Sequence, residues 1–135
     1  MPTSRIALRR GKSPQYRRAI SDAGHRALVE VIGIPSEDQF HVIDEYDAEN
    51  FIYHPSFLDI ARTDDLVIIN IVLRGGRSRD LRVQLHKKIA ELLEQKPGVR
   101  PQDVFVYLVE NDYADWSVGN GDAPLMKLLE QAGAG

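Results

Sequence analysis

Two halves of this chain resemble each other, and that internal repeat restricts its possible folds more than any other feature. Sliding the sequence against itself by 65 residues places Gly33 on Gly98. The same shift places Leu8–Ser13 (Leu-Arg-Arg-Gly-Lys-Ser) on Leu73–Ser78 (Leu-Arg-Gly-Gly-Arg-Ser). Self-similarity at a fixed spacing indicates that one supersecondary unit occurs more than once. We therefore expect two copies of a single folding unit.

The copies span about residues 2–45 and 66–110. A connection of about 20 residues joins them, and a tail follows over residues 111–135. The connection is rich in aromatic and aliphatic side chains, so it is predicted to pack over a sheet edge or a neighbouring subunit. A length of 135 residues suits one domain with its own core, and we expect a single domain over residues 1–135.

The first copy is predicted to run strand, helix, strand. Thr3–Arg9 alternates as a short strand, and Ser13 followed by Pro14 is typical of a helix start. Apolar residues then recur at helical spacing until Gly33, which is placed to end the helix in a left-handed conformation. Gln39–Glu45 alternates again and predicts the second strand.

The second copy repeats this plan with stronger signals. Leu66–Leu73 is a nearly continuous β-branched run, which is typical of a central strand. Ser78 is placed to cap a helix that Lys96–Gly98 ends, and Val104–Val109 forms the last strand.

Two strand–helix–strand units predict an α+β fold with a four-stranded mixed sheet and two helices on one face. A helix that links two strands of one sheet makes those strands parallel, with a right-handed crossover. The other sheet face is left without a cover, so an oligomer that buries it is expected.

Composition excludes several classes of function. The formal net charge is −3, which argues against nucleic acid or an anionic membrane as a partner. The chain has no Cys, which removes thiolate catalysis and fits the reducing cytoplasm. No secretory leader is expected, and the longest apolar run is too short to span a bilayer. We therefore expect a cytoplasmic protein.

Pro2 is the first candidate catalytic residue. A small second residue allows the initiator Met1 to be removed, which would leave Pro2 with a free secondary amine. An α-amino group has a reference pKa of about 7.7–8.0, and burial or nearby arginines would lower that pKa. The neutral amine is a base for proton transfer next to a carbonyl, and the protonated amine is an acid. The dipeptide alone is weak evidence, because many proteins begin with it.

A longer motif lies near the end of the second copy. The segment Val109–Gly121 (Val-Glu-Asn-Asp-Tyr-Ala-Asp-Trp-Ser-Val-Gly-Asn-Gly) is similar to the VEN…DWSFG segment of malonate semialdehyde decarboxylases. Together with the duplicated unit and the proline after Met1, it makes the chain resemble the tautomerase superfamily, in the fused form of the oxalocrotonate tautomerase unit. The resemblance covers essentially the whole chain and implies assembly as a homotrimer. Val118 departs from the family's Phe, which changes the apolar wall of the pocket.

The resemblance also implies roles for individual residues. Arg74 and Arg77 lie where the family has its catalytic arginines, and either one is placed to bind a substrate carboxylate. Asp38 lies where the family has an acid that positions water or the proline nitrogen. Trp116 and Val118 are implied as walls of the substrate pocket. Asn70 is either a paired core amide or a pocket donor.

We expect a cofactor-independent enzyme that acts on a small oxo acid with malonate-semialdehyde-decarboxylase-like chemistry. One alternative is a keto–enol tautomerase of the phenylpyruvate type, with promiscuous hydratase activity. Another is a non-catalytic trimeric binding protein. The four histidines have no metal-site spacing, so no metal is expected.

Overall fold

The computed structural model describes residues 1–134 and contains one four-stranded sheet. The strands lie in the order β2-β1-β3-β4. β1 and β2 are parallel, β3 and β4 are parallel, and the two pairs meet through an antiparallel β1–β3 contact. The predicted α+β fold with a mixed sheet is therefore confirmed. The strands are β1 Pro2–Arg9, β2 His41–Tyr46, β3 Val67–Arg74 and β4 Val104–Asn111.

Each parallel pair is connected by a helix that begins where the sequence predicts. α1 spans Pro14–Ala27, and the Ser13 hydroxyl caps it by accepting from the Tyr16 amide at 3.1 Å. α1 continues into a π-helical turn, Leu28–Ile32, which Gly33 ends at φ 84°. α2 spans Arg79–Gln95 and is capped in the same way by Ser78. A side-chain cap contributes about 1 kcal/mol to a helix.

The core lies between these two helices and one face of the sheet. Alternate residues of β1 and β3 face it, and all are almost fully buried: Ile6, Leu8, Val67, Ile69 and Ile71. The helices contribute their apolar stripes: Ile20, Leu28, Leu85, Ile89 and Leu93. Each such side chain contributes roughly 1.5–3 kcal/mol when it leaves water. This packing holds the start of β1 against the end of β3.

The opposite face of the sheet carries exposed apolar side chains, which we call the exposed sheet face: Val42, Phe105, Tyr107 and Val109. The sheet register places Val42, Arg5, Asn70 and Tyr107 in one row across the four strands. Asn70 therefore lies on this face rather than in the core, and its side-chain oxygen has no hydrogen-bond partner among the described residues.

The connection between the copies is held at both of its ends. Phe51 is buried and stacks on Tyr46, at the end of the edge strand β2, with ring centroids 6.2 Å apart. Near the other end, the Thr63 amide and hydroxyl donate to the fully buried Asp103 carboxylate at 2.7 and 2.6 Å. The connection therefore packs at a sheet edge, which was one of its two predicted locations.

The tail contains a third helix, α3, which spans Pro124–Ala134. The sequence predicted only two helices, and its short apolar stretch near Pro124 was not read as a helix. Pro124 stands at the first helical position, where a missing N–H has no cost. Leu125 is buried at the start of α3. Gly135, the last residue of the predicted tail, lies outside the described residues, and none of the helices over residues 1–134 is long and apolar enough to cross a membrane.

Candidate active site

The start of β1 is buried at the centre of the sheet. Pro2 pairs with Leu73 in the antiparallel register, so the last residue of β3, Arg74, follows directly beside the chain start. Pro2 itself is buried, and Met1 is half-buried. The β1–β3 contact therefore places the predicted proline and the predicted arginine segment at one end of the sheet.

A cavity of about 210 Å³ opens at this position, and we call it the N-terminal cavity. Its lining residues are Met1, Pro2, Thr3, Phe40, Trp116, Ser117 and Val118. The structure thus brings together three of the residues singled out in the sequence: Pro2, Trp116 and Val118. Phe40 was not predicted as a lining residue. Its place follows from the hydrogen bond between the Ser4 amide and the Phe40 carbonyl, which continues the β1–β2 pairing.

Asp38 reaches the chain start from the turn before β2. That turn is closed by a hydrogen bond from the Asp38 amide to the Pro35 carbonyl at 3.1 Å. One carboxylate oxygen of Asp38 lies 2.5 Å from the Met1 nitrogen, and the side chain is only 13% exposed. Its other oxygen is buried and has no partner among the described residues. Asp38 therefore lies beside the start of the chain, in contact with the Met1 nitrogen.

The arginine segment follows β3 in a conformation that needs its two glycines. A Cβ at Gly75 would lie 3.1 Å from a Glu110 carboxylate oxygen and 3.3 Å from the Asn111 carbonyl. Gly76 has a φ of 109°, a backbone conformation that residues with a Cβ atom rarely adopt. This turn directs the Arg77 guanidinium back to donate to the Arg74 carbonyl.

Arg74 and Arg77 lie close together and do not line the N-terminal cavity itself. The Arg74 Nη1 atom donates to the Tyr113 hydroxyl at 2.9 Å and to the Gly75 carbonyl at 3.2 Å. The pKa of Arg77 is lowered by burial, and the nearby Arg74 charge lowers it further. The end of β3 therefore presents two neighbouring cations.

No carboxylate among residues 1–134 pairs with either of these arginines, although both are half-buried. In contrast, most other arginines have an acidic partner within 4.0 Å: Arg5, Arg9, Arg10, Arg17, Arg18, Arg26, Arg82 and Arg100. Half-buried guanidinium groups without an acid are suited to a carboxylate ligand.

Trp116 forms a wall of the cavity and is held in place by a hydrogen bond. Its indole nitrogen donates to the Asn111 side-chain oxygen at 2.7 Å, and only 7% of the residue is exposed. Val118, where the resembling family has Phe, lines the cavity and is 50% exposed. A group of three or more His, Asp or Glu side chains able to hold a metal ion does not occur within the described part of the chain.

Tyr113 was missed by the sequence analysis, although it lies inside the segment that carries the family resemblance. Only the folded structure identifies it, because the centre of its ring lies 4.7 Å from the Arg74 guanidinium carbon. An aromatic residue in a polar turn has no distinguishing pattern in the sequence.

Comparison with known proteins gives consistent matches over the chain. Two family models, each described as a tautomerase enzyme, match residues 38–119 and 2–59. The probable tautomerase YusQ of Bacillus subtilis (strain 168) is 36% identical over 127 residues, which cover 94% of this chain and 100% of that protein.

Solved structures of malonate semialdehyde decarboxylases are also similar. One, inhibited by 3-bromopropiolate, is 36% identical with a TM-score of 0.88 and covers 93% of this chain and 95% of its own. Another, described for its decarboxylase and hydratase activities, is 29% identical with a TM-score of 0.87 and covers 92% of this chain and 95% of its own.

Proposed function

The chain belongs to the tautomerase family and is an enzyme of that superfamily, and from this premise we propose that it decarboxylates a small 3-oxo acid such as malonate semialdehyde. The observation that carries the proposal is the pair of half-buried arginines, Arg74 and Arg77, which have no acidic partner among the described residues. Arg74 directly follows Leu73, the partner of the buried Pro2 in the sheet. The matched decarboxylases support it.

In this mechanism Arg74 and Arg77 bind the substrate carboxylate through their N–H groups. They turn the carboxylate out of the carbonyl plane, so that the breaking C–C bond overlaps the carbonyl π system. With Met1 removed, Pro2 provides a secondary ammonium that donates a hydrogen bond to the carbonyl oxygen. The bond electrons move into the enolate, which this donor stabilises. Carbon dioxide leaves, and protonation of the enolate carbon gives the aldehyde.

Asp38 lies beside the start of the chain, where one of its carboxylate oxygens is 2.5 Å from the Met1 nitrogen. With Met1 removed, we expect this carboxylate to help to orient the Pro2 ammonium. Its second oxygen, buried and without a partner, can orient the same ammonium or a water molecule.

A keto–enol tautomerase is the second candidate. The relative YusQ is named a probable tautomerase, and its identity to this chain equals that of the inhibited decarboxylase. In this alternative the neutral Pro2 amine would act as the base. Both candidate reactions would use the same two groups, the Pro2 amine and the pair of arginines.

We also propose that the enzyme works as a homotrimer, which would cover the exposed sheet face, and that it needs no cofactor. A cytoplasmic location remains a prediction from the absence of Cys.

The experiment compares the wild-type enzyme with Pro2→Ala, on malonate semialdehyde and on phenylenolpyruvate. We expect intact mass to show loss of Met1 and Pro2→Ala to lower kcat/KM by at least about 100-fold, which is the usual contribution of a positioned acid or base. Pro14→Ala, at the start of α1, is the matched control and should retain activity.

The pH dependence separates the two candidate reactions. Activity that falls as pH rises indicates the protonated Pro2, and activity that rises indicates the neutral amine. Full turnover in protein that retains Met1, or in Pro2→Ala, would contradict both mechanisms.

A further inference from the structure

The Arg74 guanidinium is held on one side by Tyr113. The phenol oxygen accepts from Nη1 at 2.9 Å, and the ring lies 4.7 Å from the guanidinium carbon. The Gly75 carbonyl accepts from the same Nη1 atom at 3.2 Å. Both oxygens therefore use one nitrogen of the guanidinium, and the ring supports the group through a cation–π contact.

This arrangement leaves the other nitrogens of Arg74 available. A guanidinium has five N–H donors, and the described residues accept only from Nη1. A carboxylate needs two parallel N–H donors for bidentate binding. The Nε and Nη2 edge of Arg74 offers such a pair.

The repeat provides an internal comparison, because Arg9 is the counterpart of Arg74. Arg9 lies 5.9 Å from the centre of the Tyr53 ring, but its Nη1 atom pairs with the Asp64 carboxylate at 3.1 Å. The Tyr53 hydroxyl donates to the same carboxylate at 2.6 Å. The Arg9 charge is therefore neutralised by an acid. Among residues 1–134 the Arg74 guanidinium donates only to the Tyr113 hydroxyl and the Gly75 carbonyl, which orient the group without pairing it with an acid.

Tyr113 lies on a short turn that is itself well anchored. In the turn Tyr113–Asp115, the Asp112 amide donates to an Asp115 carboxylate oxygen at 2.8 Å and a capping box closes it. Asn111 lies two residues before Tyr113. Its side-chain oxygen accepts a hydrogen bond from the Trp116 indole at 2.7 Å, and its carbonyl accepts one from the Gly75 amide at 2.8 Å. The phenol is thus attached to the same framework as the cavity wall.

From these contacts we propose that Tyr113 is a positioning residue, which orients Arg74 so that its free edge binds the substrate carboxylate. The inference rests on the proposed function. It assigns to Tyr113 a role in carboxylate affinity that the sequence motif does not specify.

The test measures carboxylate affinity and turnover in Tyr113→Phe and Tyr113→Leu. Malonate serves as a non-reacting probe, and the single tryptophan, Trp116, reports its binding by fluorescence. Tyr113→Phe removes the hydrogen bond and keeps the ring, whereas Tyr113→Leu removes both. Tyr53→Phe is the matched control, because it removes the corresponding hydroxyl in the first repeat.

We expect Tyr113→Phe to weaken malonate binding about 5- to 10-fold, because a hydrogen bond to a charged group is lost. The Leu variant should weaken it further. KM for the substrate should rise in parallel while kcat changes less than about 3-fold, a split that general loss of folding would not produce. Tyr53→Phe should bind malonate as the wild type does, and thermal melting checks that each variant folds.

If the wild type binds malonate and turns over substrate, unchanged or tighter malonate binding by Tyr113→Phe would overturn this inference and leave the proposed function intact. Tighter binding would mean that the phenol competes with the ligand for Arg74. A wild-type enzyme that neither binds malonate nor turns over either oxo acid would overturn the proposed function and this inference together.

Discussion

Most arginines in this protein pair with an acid, and exposed pairs of this kind contribute about 0–1 kcal/mol each. Arg74 and Arg77 are half-buried beside each other without an acid among residues 1–134. Partial burial strengthens the attraction of a guanidinium for an incoming anion, because less water screens it. Arg74 and Arg77 therefore attract an anionic ligand, whereas the repulsion between their own charges is unfavourable.

We therefore predict that removing either arginine weakens substrate binding but leaves stability nearly unchanged. Arg74→Ala and Arg77→Ala should each lower kcat/KM by about 10- to 100-fold, since a charge-assisted hydrogen bond to the carboxylate is lost. Neither should lower the melting temperature appreciably, because no ion pair is broken. Steady-state kinetics and thermal melts measure the two effects. Arg79→Ala, exposed and nearby on α2, is the control and should change neither; equal losses in all three variants would contradict the assignment.

A polar cluster attaches α1 to the turn that carries Asp38. Ser21 Oγ and His41 Nδ1 share a hydrogen bond at 2.7 Å, and His25 Nε2 donates to the Ser36 carbonyl at 2.7 Å. The two histidine rings lie 6.0 Å apart. The pKa of His41 is lowered to about 4, chiefly by burial; His25 and Arg18 also lower it, while Asp22 raises it. The cluster is therefore built for neutral His41.

Stability should consequently fall as the pH drops from about 6.5 towards 4. In that window the unfolded chain binds a proton at His41 that the folded chain excludes, so the contribution is complete above pH 6.5. Because His41 is partly exposed, solvent screening reduces the effect, and we expect the free energy of unfolding to fall by about 2 kcal/mol. Denaturant unfolding at several pH values measures it, and His41→Gln should show a flatter profile.

His54→Gln is the control, because His54 is exposed in the connection between the repeats. It should leave the pH profile of stability unchanged. An identical acid-induced loss in wild type and His41→Gln would show that other groups cause it.

The complete molecule has one sheet face packed and one exposed. Phe105, Tyr107 and Val109 on β4 and Val42 on β2 are each more than 40% exposed. Exposed large apolar side chains grouped on one sheet face, as on β4, are typical of an association site. Asn70 lies in the same row with an unpartnered buried oxygen, which a subunit contact could satisfy. These features support the proposed trimer.

The trimer proposal predicts that a charge on this face dissociates the protein. Phe105→Asp would place a carboxylate in an apolar interface, which is unfavourable unless the charge is paired. Sedimentation at micromolar concentration should show a trimer for the wild type and a monomer for the variant. Gln84→Asp, which adds the same charge to the outer side of α2, should remain trimeric. A monomeric wild type, or a trimeric Phe105→Asp, would contradict the proposal.

Strands and helices of this protein follow from local signals that the sequence carries. Ser13 and Ser78 cap their helices as predicted because a cap needs only the adjacent backbone. The apolar run of β3 predicts a central strand, and β3 lies between β1 and β4. α3 was missed because its apolar stretch is short and follows a glycine-rich segment.

Asp38 and Asp103 occupy equivalent positions of the repeat, yet the folded chain gives them different partners. Asp38 contacts the chain start, whereas Asp103 is fully buried and holds Thr63. No local pattern separates them, because the difference arises from which segment lies opposite each one. The same holds for Tyr113, whose contact with Arg74 joins residues 39 positions apart. Helices, strands and the candidate residues are thus readable from sequence, since they depend on neighbours along the chain. Their partners depend on the antiparallel β1–β3 contact, which brings distant segments together.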